Sequence, residues 1–280
     1  MKLLNLGCGQ KYHKDWINID FVSNSDNVIS HNLLEGIPLD DKSVNVVYHS
    51  HVLEHFSKID GLNFLKECFR VLKPSGIIRI AVPDLESIAK EYLKNLELAS
   101  MGDVNGKNNY EWIKLELLDQ MVRNESGGAM KEYLFQPTIP NENYVYERIG
   151  MEGKIIRQAF LNSPTSRKKK LKASSKRNSL IKHLLKKLKN KFFHKSKNKV
   201  LTVAQKKALR IGQFRLNGEI HQWMYDRYSL TELLKEVGFS EIIHSNAFES
   251  EIDNWGKYQL DVIDGEVRKP DSLFLEAKKS

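Results

Sequence analysis

The chain has 280 residues, of which 41% are hydrophobic and 28% charged, apolar enough for a buried core and too apolar for a disordered chain. No run approaches the roughly 18 apolar residues that span a bilayer, and the two cysteines, Cys8 and Cys68, exclude a disulfide framework and a four-thiolate zinc site. Lys and Arg outnumber Asp and Glu 44 to 35, but fifteen of those bases fall between Arg167 and Lys199 without one acid. The remaining residues hold 29 bases against 35 acids, so a mildly acidic protein carries one basic tract. The opening MKLLNLGCGQ looks superficially like a lipoprotein leader ending at Cys8, yet its apolar stretch is about four residues against the usual 7–15 or so. The expectation is a cytoplasmic chain with free thiols.

In chain order, residues 2–6 (KLLNL) predict a buried strand that enters a tight turn at Gly7-Cys8-Gly9. Further strands are expected at Trp16 to Ile19, ending at Asp20, at Val28-Ile29, and at Val44 to His49. Residues 58–72 carry apolar side chains at 62, 65, 69 and 72, the spacing of an amphipathic helix; Pro74-Ser75-Gly76 stops it before a strand at Ile77 to Val82. Residues 85–218 break this alternation with helices expected near 86–98, 109–123 and 152–162, then the basic tract, then 202–215. A helix at 229–237 ending at Gly238, a strand at Ser240 to His244 and a last strand at Ser272 to Ala277 return to it. Strands joined by helix-length connections predict an α/β protein with a doubly wound, mostly parallel sheet.

Gly7 and Gly9 stand directly after the first strand, where a bound ligand would approach the backbone, and Asp20 ends the second strand, where a carboxylate can accept both hydroxyls of a ribose. A dinucleotide site wants a third glycine opening a helix and an acid about 20 residues further on. Here Gly9 is followed by Gln10-Lys11-Tyr12-His13, and ten residues separate Gly9 from Asp20. That favours S-adenosylmethionine over a nicotinamide or flavin dinucleotide.

The blocks LNLGCGQ, IPLDDKSVNVVYHSHVLEHF and FRVLKPSGIIRIAVPD resemble those of class I S-adenosylmethionine-dependent methyltransferases, most closely the type 11 group, and HQWMYDRYSLTELLKEVGFSEI resembles the C-terminal part of that group. The resemblance implies a seven-stranded Rossmann-like sheet, with Gly7 and Gly9 beside the methionine part of the cofactor and Asp20 on its ribose. Asn32 and Leu33 would then lie near adenine, and Ser50 and His51 on the sulfonium side. Asn5 and Asn32 stand where the family commonly has acids, and Lys11 where it has a third glycine, so Asn5 would meet the cofactor through its carbonyl. The short loop also implies an abbreviated first helix.

His51-Val52-Leu53-Glu54-His55 fits H-x-x-E-H, a zinc-protease pattern, but the methyltransferase frame accounts for it as the turn after a strand, and no metal is expected. Candidate proton acceptors are His221, Asp84 and His51, with Glu219, Trp223 and Tyr225 as a pocket wall around His221. Arg123, Ser126, Gly127 and Gly128 offer a cation and backbone donors suited to a phosphate or carboxylate on the acceptor, against a plain helix–helix turn. In the basic tract Leu180, Ile181, Leu184, Leu185, Leu188 and Phe192 share one helical face with lysines on the other. That pattern fits an anionic membrane surface or a solvated insertion equally, and nucleic acid less well.

The expected organisation is a cofactor-binding part at 1–84, a helical lid at 85–218 and a C-terminal completion at 219–280. The expected function is methyl transfer to a small molecule or glycan, with a sugar hydroxyl or lipid-linked saccharide of envelope polysaccharide synthesis as the acceptor and peripheral attachment to the membrane. The alternatives are an RNA methyltransferase and a non-catalytic cofactor-binding or membrane scaffold.

Overall fold

The computed structural model describes residues 1–23, 25–163 and 201–280; the basic tract, with the apolar face from Leu180 to Phe192, lies outside the described residues. The strands are β1 (Leu3–Leu6), β2 (Ile17–Asp20), β3 (Val28–Ser30), β4 (Val44–Ser50), β5 (Leu72–Pro83), β6 (Phe239–Ser245), β7 (Val262–Ile263), β8 (Glu266–Val267) and β9 (Ser272–Lys279). Seven of them form one sheet in the order β3-β2-β1-β4-β5-β9-β6, with β9 antiparallel to both neighbours; β7 and β8 form a separate hairpin. This is the expected seven-stranded, mostly parallel α/β sheet.

The helices are α1 (Lys58–Val71), α2 (Leu85–Ser100), α3 (Val104–Val122), α4 (Gly128–Leu134), α5 (Glu142–Leu161), α6 (Val203–Arg215) and α7 (Arg227–Val237). Most begin at a side chain able to hold a free backbone N–H. Ser57 accepts from Asp60 N and Asp84 from Glu86 N, while Thr202 and Asp226 form reciprocal caps with Gln205 and Ser229. The helix expected near 152–162 begins earlier, at Glu142, and bends at Gly150. Helix α4 was not expected from the sequence; seven residues are too short for a periodic signal.

No helix joins β1 to β2. Ten residues of turns, 7–16, make this parallel crossover, which ordinarily takes a dozen or more residues and a helix. Two buried amides replace the helix by holding the loop's carbonyl groups. Asn5 Nδ2 donates to the Lys11 carbonyl (3.1 Å) and to Asn18 Oδ1 (3.1 Å), and Asn18 Nδ2 donates to the carbonyls of His13 (3.0 Å) and Trp16 (2.9 Å). Trp16, expected inside the strand, precedes it.

Side chains alternate along β1 and β4. Leu4, Leu6 and Val47 face α1 and α7, whereas Leu3, Val46 and Tyr48 face Trp16, Ile252, Trp255, Tyr258 and Leu260. The second face, left bare by the missing helix, is thus covered by the segment between β6 and β9. A buried ion cluster anchors that segment: Arg79 pairs with Asp261 (2.9 Å) and Glu276 (2.6 Å), Tyr48 donates to Asp261 (2.6 Å), and the guanidinium lies 4.5 Å from the Trp255 ring centre.

Candidate active site

The connections leaving β1 and β4 depart in opposite directions along the sheet, and in open α/β sheets the C-terminal ends of strands at such a switch point are where a ligand crevice is expected. Gly7 turns out of β1 at φ +62°, and a Cβ there would stand 2.3 Å from Val52 Cγ2 on the β4 loop, so this glycine lets the two loops close on each other. Gly9, at φ +53°, differs: a Cβ there meets nothing within 4 Å. Its N–H donates to Asp20 Oδ2 (2.7 Å), and Val22 N–H donates to Oδ1 (3.2 Å). Each carboxylate oxygen keeps a further lone pair. An open backbone beside an acceptor pair at a strand end fits the adenosine half of S-adenosylmethionine.

Other nominated cofactor residues are engaged within the protein. The Asn5 amide nitrogen is turned into the β1–β2 loop. An acid at position 5 would set a carboxylate against the carbonyl oxygens that Asn5 now supplies with hydrogens, so the family's common residue does not suit this loop. Asn32 Oδ1 caps the turn at Leu33–Glu35 by accepting from Leu34 N (3.1 Å), and Leu33 packs against the core. Ser50 Oγ accepts from Arg268 (2.7 Å).

Beyond β4, His51 adopts φ +56° and donates its N–H to the Ala81 carbonyl (2.8 Å). A non-glycine residue in this region carries strain and is held there by its surroundings. Its Nε2 makes a 2.8 Å hydrogen bond with Ser272 Oγ, and its Nδ1 lies 3.1 Å from Glu54 Oε1. His221 is buried with Nε2 4.0 Å from the same oxygen, and its ring meets that of His55 edge-on at 4.9 Å. Burial pushes the Glu54 carboxyl up to about 8 and holds His51, His55 and His221 below the usual imidazole range, with Lys269 reinforcing the effect on all three. The structure therefore brings His51 and His221 together. Asp84 stands apart as the cap of α2, bridged through its backbone to Tyr225.

The residues expected as a pocket wall and an anion loop have partners within the protein. Tyr225 packs in the core, and burial, with the Glu54 charge adding to it, pushes its hydroxyl up to about 12; Trp223 is partly exposed under Lys58 Nζ at 3.8 Å. Arg123 is already neutralised by Asp119 (2.8 Å), with Glu219 at 3.5 Å. In the loop around Ser126, Gly127 N donates to Glu219 (2.8 Å) and Ala129 N to Asp119 (2.8 Å). The protein's own carboxylates occupy these anion-binding groups.

The description "Methyltransferase domain" belongs to the family model that residues 8–80 match. The matched stretch is about a quarter of the chain. It contains Gly9, Asp20, His51 and Glu54, and its last residues form most of β5. Over 56 residues the chain is 43% identical to a protein named "Probable S-adenosylmethionine-dependent methyltransferase" from Mycolicibacterium smegmatis, covering 20% of this chain and 21% of that one. Over 100 residues it is 32% identical to one of the same description from Mycobacterium tuberculosis, covering 29% and 35%. The chain spans about a fifth to a third of the length of these curated relatives. A solved S-adenosylmethionine-dependent methyltransferase from Archaeoglobus fulgidus is 14% identical over 99% of this chain and 86% of that one, with a TM-score of 0.37.

Outside the matched stretch, His221, Arg268 and Ser272 complete the surroundings of the loop after β4. Nothing in the sequence marked Arg268 or Ser272, because they reach the site only when the chain folds back as the antiparallel β9. Glu54 stands within the H-x-x-E-H pattern, whose spacing by itself assigns it no partner as distant as His221.

Proposed function

We infer that the chain is an S-adenosylmethionine-dependent methyltransferase. The observation that carries this reading is the pairing of an open Gly9 backbone with the Asp20 carboxylate at the end of β2, in a stretch whose relatives carry that name. When bound, S-adenosylmethionine supplies a methyl group on a positively charged sulfur. Asp20 would accept the ribose hydroxyls, and Gly7 would hold the two loops close enough to frame the crevice. Leu33 and the Asn32 turn would border the adenine. Ser50 and His51 would line the end nearest the acceptor.

Binding and aligning the two partners is the largest contribution expected of the protein, with proton removal needed for a hydroxyl acceptor. Of the three nominated proton acceptors, Asp84 is tied up as a helix cap. The cluster of His51, Glu54 and His221 is the place we assign to that proton. Helices α2 to α5 would form the acceptor side. A sugar hydroxyl or lipid-linked saccharide remains the acceptor we favour, supported by the basic tract with its apolar face in the sequence, which suits an anionic membrane surface.

Calorimetry with S-adenosylhomocysteine tests the cofactor: saturable binding that the Asp20→Asn variant weakens is expected, and no saturable heat would overturn the reading. Flotation with anionic vesicles, comparing the full chain with a 167–199 deletion, tests the surface. Co-purification of RNA through that tract would move the acceptor to nucleic acid.

A further inference from the structure

We propose that Glu54, His55 and His221 form a binding site for a divalent transition-metal ion. One donor atom from each of the three side chains lies within 4.8 Å of the other two. Ligand bonds of about 2.0–2.2 Å set donors roughly 3.4 Å apart in a tetrahedron, a contraction that side-chain rotation can supply. Two imidazoles with one carboxylate is the ligand set of open zinc and ferrous sites, whereas magnesium and calcium prefer oxygen alone.

Backbone geometry holds the three residues together before any ion arrives. Leu53–His55 is a single tight helical turn, which sets Glu54 and His55 side by side. The Glu54 carbonyl accepts N–H groups from Gln222 (2.7 Å) and Trp223 (3.2 Å), and Gln222 Nε2 donates to the His55 carbonyl (2.8 Å). These bonds clamp residues 221–223 across the turn and deliver His221 to the carboxylate.

The side chains are also left with unmet bonding capacity. Glu54 is fully buried, and neither of its carboxylate oxygens has a hydrogen-bond partner; His51 Nδ1, at 3.1 Å, stands at an angle that makes none. Among the described residues its ion-pair neighbours are His51 and His221, with no Lys or Arg. His221 Nδ1 is likewise buried and unpartnered. Buried polar groups are nearly always paired, so such a cluster calls for a missing partner. His55 supplies a further sign. Its Nδ1 lies 3.1 Å from the Ile220 carbonyl, which only accepts, so Nδ1 carries the hydrogen and Nε2 presents its lone pair. An outer carbonyl fixing the tautomer in this way is the usual support of a metal-binding histidine.

The assignment does not rest on methyl transfer, but it bears on it. An ion at the end of β4 with open coordination positions would bind an acceptor oxygen and ease loss of its proton, and His51 would then steady Glu54 from outside the ligand set.

Cobalt(II) gives visible d–d absorption when bound, so the full chain, stripped with chelator and dialysed, is titrated with Co2+ in the absence of S-adenosylmethionine. One saturable equivalent, displaced by Zn2+, is expected. Glu54→Gln, close in shape, and His55→Ala are each expected to weaken binding more than about a hundredfold, above the range for losing an outer partner, while circular dichroism of the stripped variants matches the parent. No saturable cobalt spectrum in the parent would overturn the proposal. So would unchanged binding in both variants, which would place the ion elsewhere, for instance on His183 and His194 of the basic tract.

Discussion

Glu54 Oε1 and His221 Nε2 lie 4.0 Å apart although the residues come from opposite ends of the chain. Their meeting depends on the β4 loop receiving the strand-like segment before α7, which also bonds to Asp84 and Leu85 through Tyr225. The site is assembled where three separate stretches of chain reach one end of the sheet.

The two loop glycines have different jobs, and alanine separates them. Gly7→Ala adds a methyl that meets Val52 as well as left-handed strain, and should cost about 2–5 kcal/mol of stability. Gly9→Ala has free space and should cost only the strain, about 1–2 kcal/mol. Its methyl stands in the crevice, so S-adenosylhomocysteine binding should fall further than stability does. Urea unfolding and calorimetry on both variants read the contrast; equal losses of stability would contradict it.

Asp20→Asn keeps a carbonyl oxygen for the Gly9 N–H but removes the charge and one acceptor. Hydrogen bonds to a charged group contribute about 1.5–3 kcal/mol, so affinity for S-adenosylhomocysteine should drop roughly 10- to 100-fold while the melting temperature changes little. Calorimetry measures the first and scanning fluorimetry the second.

Arg79→Ala should destabilise the protein by about 3–5 kcal/mol, because Asp261 and Glu276 would stay buried without their counter-charge. The same change should loosen the segment over the second face of the sheet. Tryptophan emission should therefore shift to the red as Trp255 and Trp16 gain water, and an unshifted spectrum would show that the aromatic contacts suffice alone.

Cys8 should behave as a slow thiol in the folded protein. Burial, helped by the Asp20 charge, pushes it up to about 11, and only the thiolate reacts. Thiolate is therefore scarce at pH 8, and alkylation by iodoacetamide should accelerate about tenfold per pH unit until near pH 11. Cys68, wholly buried and raised well above the ordinary thiol, should react only on unfolding. Mass spectrometry of iodoacetamide-treated protein distinguishes the two sites.

The sequence determined the strands, most helices and the place of Gly9 and Asp20, because each follows from residues close in the chain: an apolar run ending at glycine, a capping Ser or Asp, a carboxylate at a strand end. Only the tertiary structure decided what surrounds them. The replacement of a helix by the Asn5–Asn18 amide pair, the covering of the bare sheet face by Trp255 and Tyr258, and the approach of Glu219 to Arg123 depend on which distant groups reach one another in space. The cluster of Glu54, His55 and His221 joins both kinds. Its first two members stand side by side in H-x-x-E-H, but the third arrives through backbone bonds to the Glu54 carbonyl, and backbone bonds between remote segments carry no residue signature.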